Sequence, residues 1–341
     1  MPTSITFDEL LKAANECSRG VKWKDSIAAW THPRNIALNC MKLWQELDCG
    51  KYRIGGYKLF YVTEPKKRLI RSPKFRDRVV QRAMCNNGLY DDLTRGNIYD
   101  NGACQLGKGT SFAMDRLECH MQRHWRKHGT DGWVLRLDIR KFFDSIPHAQ
   151  LKEMVKRKVR NPEYRKLVTE IIDSFEGDVG IGLGSQISQL LAISYLSGID
   201  HYIKEQLHIK CYVRYSDDLV LVHESKEHLQ KVRDDIRRGL GLLGLELNPK
   251  STLHPLKQGI KFLKFRFVLT KTGKVVRLLD RRNPARIKRR LKRIAEMAKD
   301  GERTMLDVWS CFNSWKSHAE LGNSYLTIRR MKKWLETQVS S

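Results

Sequence analysis

The sequence predicts an α+β fold of two or three lobes, in which antiparallel strands are backed by helices. Runs of β-branched and aromatic residues predict hairpins at 57–70 and 211–222. Most of the remaining chain carries apolar residues at helical spacing. A hydrophobic content of 41% over 341 residues is sufficient for a sizeable buried core.

The chain carries a formal net charge of +26, which predicts a polyanionic partner. An anionic membrane is the alternative, but the sequence contains neither a transmembrane run nor an isolated amphipathic anchor. The eight cysteines are scattered, with no Cys-x-x-Cys pair, which is typical of reduced thiols. The first residues lack a basic and then apolar leader, so we expect a cytoplasmic protein.

The N-terminal third combines helices with a basic flap. Residues 7–50 show helical spacing and predict an amphipathic packing arm. Strand 57–62 then runs through a basic turn into a second strand, and this flap could close over a triphosphate. A solvated basic hairpin is the alternative. The basic residues of the flap are Lys66, Arg68, Arg71 and Lys74.

Two helices follow the flap. A helix opens at residues 75–84, and residues 107–110 precede another from about 111 to 126. The glycines at 107–110 only faintly resemble a phosphate loop, because the full Gly-x-x-x-x-Gly-Lys-Ser/Thr pattern is missing. We interpret them as a loop and helix N-terminus that can contact a nucleic-acid backbone.

Three aspartates are the candidate catalytic residues. Asp138 ends the apolar strand 133–139, where a strand emerges into a loop. Asp217 and Asp218 occupy the turn of the 211–222 hairpin, with no neighbouring base expected to neutralise both. Because side chains alternate along a strand, the two should point opposite ways, so that one binds a metal and the other supports the site. An ordinary aspartate turn is the alternative, and Asp144 is a further candidate ligand, although a cap or turn role suits it better.

The second half of the chain supplies a glycine-rich loop and a basic lobe. Residues 180–189 predict a loop that approaches a ligand closely, leading into a helix with Ser188 as its possible N-cap. We expect a helix at 226–247, a turn at 248–251 and one strand with a positive face at 259–267. From Arg281 a helical lobe dense in arginine and lysine begins, with a later helix at about 324–336, and it predicts contact with a nucleic-acid backbone.

Carboxylates from neighbouring strands can hold two Mg²⁺ ions about 3.5–4 Å apart, with Mn²⁺ as a possible substitute. One ion would lower the pKa of an attacking hydroxyl, and the other would stabilise the leaving pyrophosphate. Together with a basic flap, a glycine-rich loop and a basic lobe, Asp138 and Asp217 predict nucleotidyl transfer on a nucleic acid.

The order of these motifs resembles that of the reverse transcriptases across nearly the whole chain. The most specific segment is Tyr215-Ser216-Asp217-Asp218, which resembles the Tyr-x-Asp-Asp box. The first palm motif resembles residues 137–143, and the second resembles residues 180–189. The fourth motif resembles residues 248–250, and the primer grip resembles residues 262–265. The resemblance implies a right-hand fold with fingers at 1–130 that include part of the palm, a palm at 131–270 and a thumb at 271–341.

The resemblance also implies roles for individual residues. The implied metal ligands are Asp138, Ile139, Asp217 and Asp218, and Lys250 is an implied proton donor to pyrophosphate. Phe143 is the implied ring that excludes a ribose 2′-hydroxyl, which disfavours an RNA-directed RNA polymerase. The other implied substrate-binding residues are Lys66, Arg68, Arg76, Leu183, Gly184, Ser188, Gln189 and Tyr215.

Within that family, Ser188-Gln189 is similar to the reverse transcriptases of diversity-generating retroelements. Leu183 stands where accurate members place a glutamine, which suggests error-prone synthesis. Gly182 and Lys264 depart from the usual proline and glycine, so an antiphage-defence or retron-type reverse transcriptase is an alternative. The implied partners are a structured non-coding RNA, dNTPs, the cDNA product and a small basic accessory protein, because no ribonuclease H, integrase or endonuclease motif is recognisable. A non-catalytic RNA-binding scaffold is the alternative of another class.

Overall fold

The computed structural model describes residues 3–21, 24–63 and 67–340 and combines helices with antiparallel sheets. The helical arm at the N-terminus is confirmed. Its helices are α1 (Phe7–Ser18), α2 (Asp25–Trp30) and α3 (Ile36–Asp48). A capping box begins α1: the Thr6 hydroxyl accepts from the Glu9 N–H, while the Glu9 carboxylate accepts from the Thr6 N–H.

The predicted flap is an antiparallel hairpin of β1 (Tyr57–Val62) and β2 (Arg68–Pro73). Most of β1 is exposed, including the side chains of Leu59 and Tyr61. Lys66, in the connecting turn, lies outside the described residues. The helices that follow are α4 (Phe75–Met84), α5 (Tyr90–Thr94) and α6 (Thr110–His128), with a π-helical turn at Cys85–Leu89.

The palm sheet, as we call the four-stranded antiparallel sheet, has the order β4-β5-β3-β6. Its strands are β3 (Trp133–Asp138), β4 (Cys211–Tyr215), β5 (Asp218–His223) and β6 (Thr252–Pro255). The predicted tight hairpin is confirmed, because Tyr215 pairs with Asp218 and leaves only Ser216 and Asp217 in the turn.

Helices cover the palm sheet, whose apolar side chains are buried in two hydrophobic cores. They are α7 (Phe142–Ser145), α8 (His148–Lys158), α9 (Pro162–Asp173), α10 (Gln186–Tyr195), α11 (Ser197–His201) and α12 (Lys226–Leu242). The expected helix at 226–247 ends five residues early. Gly244 has φ +68, and the Leu245 N–H donates to the Leu240 carbonyl, as in a Schellman C-cap.

The prediction of one strand at 259–267 was wrong. The segment is a hairpin of β7 (Ile260–Phe262) and β8 (Phe265–Leu269), followed by β9 (Val275–Leu279) in the same sheet. Leu263 and Lys264 form the turn with φ of 49° and 70°, and two-residue hairpin loops favour such positive values. The apolar alternation shifts by one residue there, from Ile260 and Phe262 to Phe265 and Phe267, a signal that reveals the turn in retrospect.

The C-terminal lobe is helical as predicted and has a hydrophobic core of its own. It consists of α13 (Asn283–Lys299), α14 (Met305–Ala319) and α15 (Tyr325–Ser340). The arginines at 286, 289 and 293 lie exposed along α13. The expected thumb boundary at residue 271 falls between β8 and β9, so β9 belongs structurally with the preceding sheet. Among the described residues, no helix combines the length and apolarity needed to cross a membrane.

Candidate active site

The three predicted aspartates lie together at one end of the palm sheet. Asp138 ends β3 and is paired in register with Asp218, which begins β5. Asp217 precedes Asp218 in the β4–β5 turn. Directly opposed residues of antiparallel strands have Cβ atoms about 4.5–5.5 Å apart. The fold therefore brings carboxylates separated by some 80 residues in sequence into one cluster.

Arg136 neutralises one of these carboxylates. Its Nε donates to Asp218 Oδ1 and its Nη2 donates to Asp218 Oδ2, each at 2.9 Å. We expected no neighbouring base to neutralise both aspartates of the turn, and the hydrogen bonds of Arg136 to Asp218 neutralise one of the two. Alternation places Arg136 on the same face of β3 as Asp138, two residues later. The sequence carried a signal for the contact with Arg136, because a basic residue two positions before an acid in a strand lies on the same face of the sheet as that acid.

Asn248 holds Asp138 from the opposite side. Its Nδ2 donates to Asp138 Oδ2 at 2.6 Å, and its backbone N–H donates to the Asp138 carbonyl at 2.7 Å. Ile139 forms a bridge with Leu247 and its side chain is buried, so only its backbone could reach an ion. Lys250 follows in the same turn and its side chain is exposed. Asn248 lies in the segment that resembles the fourth motif, but the sequence did not predict its contact with Asp138.

The turn itself is anchored from behind by Arg214. This fully buried guanidinium donates to the Ser216 carbonyl at 3.0 Å and forms an ion pair with the buried Asp200. The Tyr212 hydroxyl also donates to Asp200, at 2.7 Å. Ser216 has φ +57, a conformation that needs support in a residue with a side chain. The sequence did not predict the roles of Arg214 and Asp200, because a buried ion pair leaves no periodic signal.

The electrostatics of the cluster favour a bound cation. Burial raises the pKa of Asp217, and the negative charges of Asp138 and Asp218 raise it further, while the positive charge of Arg68 opposes them. Burial also raises the pKa of Asp218, against the hydrogen bonds and charge of Arg136. Three clustered carboxylates with one paired guanidinium retain excess negative charge. Carboxylate oxygens are ligands that hard divalent cations prefer, so the residues present fit such an ion.

The flap packs against the glycine-rich loop. The Arg71 N–H donates to the Leu183 carbonyl at 2.7 Å. Gly184 has φ +126, and an added Cβ there would lie 2.8 Å from Ile70 Cγ2 and 2.9 Å from the Arg71 carbonyl oxygen. Only glycine permits this approach. The loop and β2, the strand that begins at Arg68, are therefore fixed to each other.

The remaining predicted site residues occupy different positions. Ser188 is fully buried inside α10, and Ser185, not Ser188, is the N-cap, since its hydroxyl accepts from the Ser188 N–H at 3.0 Å. Gln189 is exposed on the next position of the helix. Arg76 pairs with Glu46 and stacks on the Tyr52 ring, turned into the N-terminal arm.

Two aromatic side chains predicted for the substrate site are partly buried. Phe143, on α7, packs edge-on against Phe142 with ring centroids 5.5 Å apart. Its carbonyl accepts from the Ile181 N–H at 2.8 Å, which ties it to the glycine-rich loop. Tyr215 ends β4 and packs between the two cores of the sheet. Asp144, the alternative candidate ligand, is exposed on α7.

An antiparallel sheet that presents clustered carboxylates beside a basic hairpin is typical of metal-dependent nucleotidyl transferases. Residues 63–267, more than half of the chain, match the family described as reverse transcriptase (RNA-dependent DNA polymerase). The chain belongs to this family. Reverse transcriptases in general use divalent metal ions, which accords with the carboxylate cluster.

Individual relatives are distant. Protein YkfC of Escherichia coli (strain K12) is 25% identical over 283 residues, which are 68% of this chain and 72% of that protein. The COX1/OXI3 intron 1 protein of Saccharomyces cerevisiae is 20% identical over 275 residues, 62% of this chain but 32% of the yeast protein.

The solved structure of apo telomerase from Candida tropicalis, truncated from its C-terminal domain, is similar with a TM-score of 0.51 and 15% identity. The similarity covers 65% of this chain and 54% of the telomerase chain. At this identity the likeness concerns the fold alone, and it supports the right-hand α+β architecture. The chain spans about half of the length of that telomerase and about a third of the yeast intron protein.

Proposed function

We propose that this chain is an RNA-directed DNA polymerase that copies a structured RNA by two-metal nucleotidyl transfer, with Mg²⁺ as the physiological ion and Mn²⁺ as a substitute. The observation that carries the proposal is the register of β3 and β5, which sets Asp138 opposite Asp218 with Asp217 in the adjoining turn. This arrangement supports a shared ion site better than it supports a non-catalytic scaffold, because like charges this close repel unless a cation joins them.

In this proposal Asp138 and Asp217 hold the ions, the Ile139 carbonyl contributes a further oxygen, and Asp218 supports them through Arg136. The ions, when bound, activate the primer hydroxyl and stabilise the leaving pyrophosphate. Asn248 fixes the rotamer of Asp138, and Arg214 fixes the turn that carries Asp217. Preorganised ligands of this kind avoid reorganisation during the reaction.

The substrate side of the proposed site is built from the flap, the glycine-rich loop and α7. Arg68, whose charge already reaches Asp217, contacts the triphosphate, and Lys66 assists it. The loop at Leu183 and Gly184 lies beneath the nascent base pair, with Gln189 at its edge. Phe143 excludes ribonucleotides, Tyr215 supports the primer end, and Lys250 donates a proton to pyrophosphate. The structure offers less support for Arg76, because Glu46 already pairs with it, and Ser188 acts only as a buried support of the loop.

Asp217→Asn tests the proposal, because it removes one negative charge without changing the size of the side chain. The matched control is Asp144→Asn, an exposed aspartate on neighbouring α7. We expect primer extension on an RNA template with Mg²⁺ to fall at least about 100-fold in Asp217→Asn and to stay unchanged in the control. Equal activity in the wild type and Asp217→Asn, with both folded, would favour an RNA-binding scaffold.

For the biological role we propose error-prone cDNA synthesis from a dedicated RNA in a diversity-generating retroelement, together with a small basic accessory protein. Ser188-Gln189 and Leu183 support this assignment over antiphage-defence and retron types. Sequencing the RNA and cDNA that co-purify with the chain tests it. Substitutions concentrated at template adenines are expected, and Leu183→Gln should reduce them. Accurate copies of a single small RNA would favour the defence or retron alternatives.

A further inference from the structure

A cluster of metal-binding side chains lies at the opposite end of the palm sheet from the aspartates. His124 and His128 are one turn apart on α6, and Glu224 directly follows β5. One donor atom from each residue lies within 4.8 Å of the others. The ring centroids of the two histidines are 4.9 Å apart, and His128 Nε2 lies 3.7 Å from Glu224 Oε2.

His124 is held with a free lone pair. Its Nε2 lies 2.6 Å from the carbonyl oxygen of Asp131. Since a carbonyl only accepts, Nε2 carries the proton and the lone pair of the neutral ring is on Nδ1. The ring packs so closely on Gly132 that an added Cβ would lie 2.5 Å from it. A buried histidine whose other nitrogen donates to a backbone carbonyl is the usual supporting arrangement of a metal ligand.

Glu224 has a supporting partner of its own. His223 Nδ1 accepts from the Ser225 N–H at 3.1 Å, so in the neutral ring its Nε2 carries a proton and faces Glu224 Oε2 at 3.5 Å. His223 can therefore orient the carboxylate but, in this arrangement, cannot bind an ion itself. The trio thus supplies two imidazole donors and one carboxylate, leaving one tetrahedral position for water.

The cluster is separate from the candidate active site. Trp133 pairs with His223 at one end of β3 and β5, while Asp138 pairs with Asp218 at the other. Five residue steps along a strand span about 17 Å. An ion at the histidines therefore cannot take part in nucleotidyl transfer, and it would instead join the C-terminal end of α6 to the end of β5.

The surrounding charge supplies the competing hypothesis. The adjoining cavity, of about 220 Å³, is also lined by Arg123, Lys127 and Lys210. These cations weaken the attraction for a dication and would suit an anion such as phosphate. Glu224 argues the other way, because an anion beside its carboxylate would be repelled, and the free lone pair of His124 accepts rather than donates.

From this geometry we propose that His124, His128 and Glu224 form a second metal site, which binds one Zn²⁺ or a similar divalent transition ion and fastens α6 to the palm sheet. Imidazole and carboxylate donors suit such ions, whereas Mg²⁺ prefers oxygen ligands alone. The ion has a structural role: because it binds the folded chain and not the unfolded chain, it stabilises the fold.

Zinc titration of the untagged full-length chain, after chelator treatment and in the presence of Mg²⁺, tests the proposal. We expect one Zn²⁺ per chain by elemental analysis, a tetrahedral Co²⁺ spectrum when Co²⁺ replaces it, and a rise in Tm. His128→Gln and Glu224→Gln should each weaken zinc binding at least tenfold and remove the Tm shift. Both residues are exposed, so neither change should prevent folding.

The matched control is His201→Gln, which removes a partly exposed histidine from another His–Glu pair, that with Glu205. It should bind zinc like the wild type. Three outcomes would overturn the proposal: no stoichiometric zinc in the wild type, zinc affinity of His128→Gln equal to that of His201→Gln, or a Tm rise produced by inorganic phosphate and not by zinc.

Discussion

The guanidinium of Arg136 forms two parallel hydrogen bonds with Asp218, at 2.9 Å each. Arg136 lies on the same strand as Asp138. Paired geometry of this kind is among the stronger contacts between charged side chains. The contact with Arg136 neutralises the carboxylate of Asp218, whereas it does not neutralise those of Asp138 and Asp217. In the proposed site Asp218 supports the turn and the ions, and Arg136 acts as a positioning residue.

Arg136→Met should reduce primer extension about 10- to 100-fold, equivalent to the roughly 1.5–3 kcal/mol of a hydrogen bond to a charged group. The physical reason is that burial and the charge of Asp138 already raise the pKa of Asp218, and Arg136 opposes both. Steady-state primer extension between pH 6 and 8.5 measures the loss of activity, and this loss should be greatest at the acidic end. Arg237→Met, which breaks an exposed arginine–aspartate pair, should have no effect. A uniform loss across pH would contradict the electrostatic role of Arg136.

Phe143→Ala should admit ribonucleotides. The Phe143 ring packs edge-on against Phe142, which limits its rotation. The hydrogen bond from the Ile181 N–H to the Phe143 carbonyl fixes the backbone that carries the ring. Competition between dNTPs and NTPs in single-nucleotide extension should show selectivity falling at least about tenfold, a cost typical of losing one steric contact. Phe143→Leu keeps most of the bulk and should retain most of the selectivity. Unchanged sugar discrimination in Phe143→Ala would remove this residue from the substrate site.

Gly184→Ala should separate the glycine-rich loop from the flap. The new Cβ would meet Ile70 and the Arg71 carbonyl within 3 Å, and φ +126 is unfavourable for alanine. We expect a loss of about 1–3 kcal/mol in the free energy of unfolding and a rise in KM for dNTPs larger than the fall in kcat. Denaturant unfolding and steady-state kinetics measure the two effects. Gly198→Ala on α11, where nothing lies within 4 Å of the added atom, is the control and should be neutral or slightly stabilising.

Asp100 should make the fold sensitive to acid. Burial alone would raise its pKa, but contacts with His120, Lys204 and Arg116 together lower it well below the usual range. The unfolded pKa is about 3.9, so the stabilisation is complete above about pH 4 and is lost as pH falls through the lower folded value. Urea unfolding between pH 2 and 5 should therefore show a steeper decline in the wild type than in Asp100→Asn. Parallel curves would contradict this assignment.

The sequence predicted the local features of the site well. The Tyr215–Asp218 hairpin, the flap at 57–73 and the basic C-terminal helices each carry a short-range signal, in alternation, turn residues or helical spacing. The turn at Leu263 and Lys264 was missed for the opposite reason: neither residue is a usual choice for positive φ, so only the shift in alternation marked it. The end of α12 was misplaced because leucines continue past Gly244.

By itself, the amino-acid sequence determined the family and most of the helical and hairpin segments, and it predicted which acids form the active site, because these depend on residue type and near spacing. Tertiary structure alone decided which base neutralises Asp218, how Asn248 and Arg214 hold the acids, and that two histidines of α6 meet Glu224. Those contacts join residues far apart in sequence, and their strength depends on burial and on exact strand register, which no local pattern encodes.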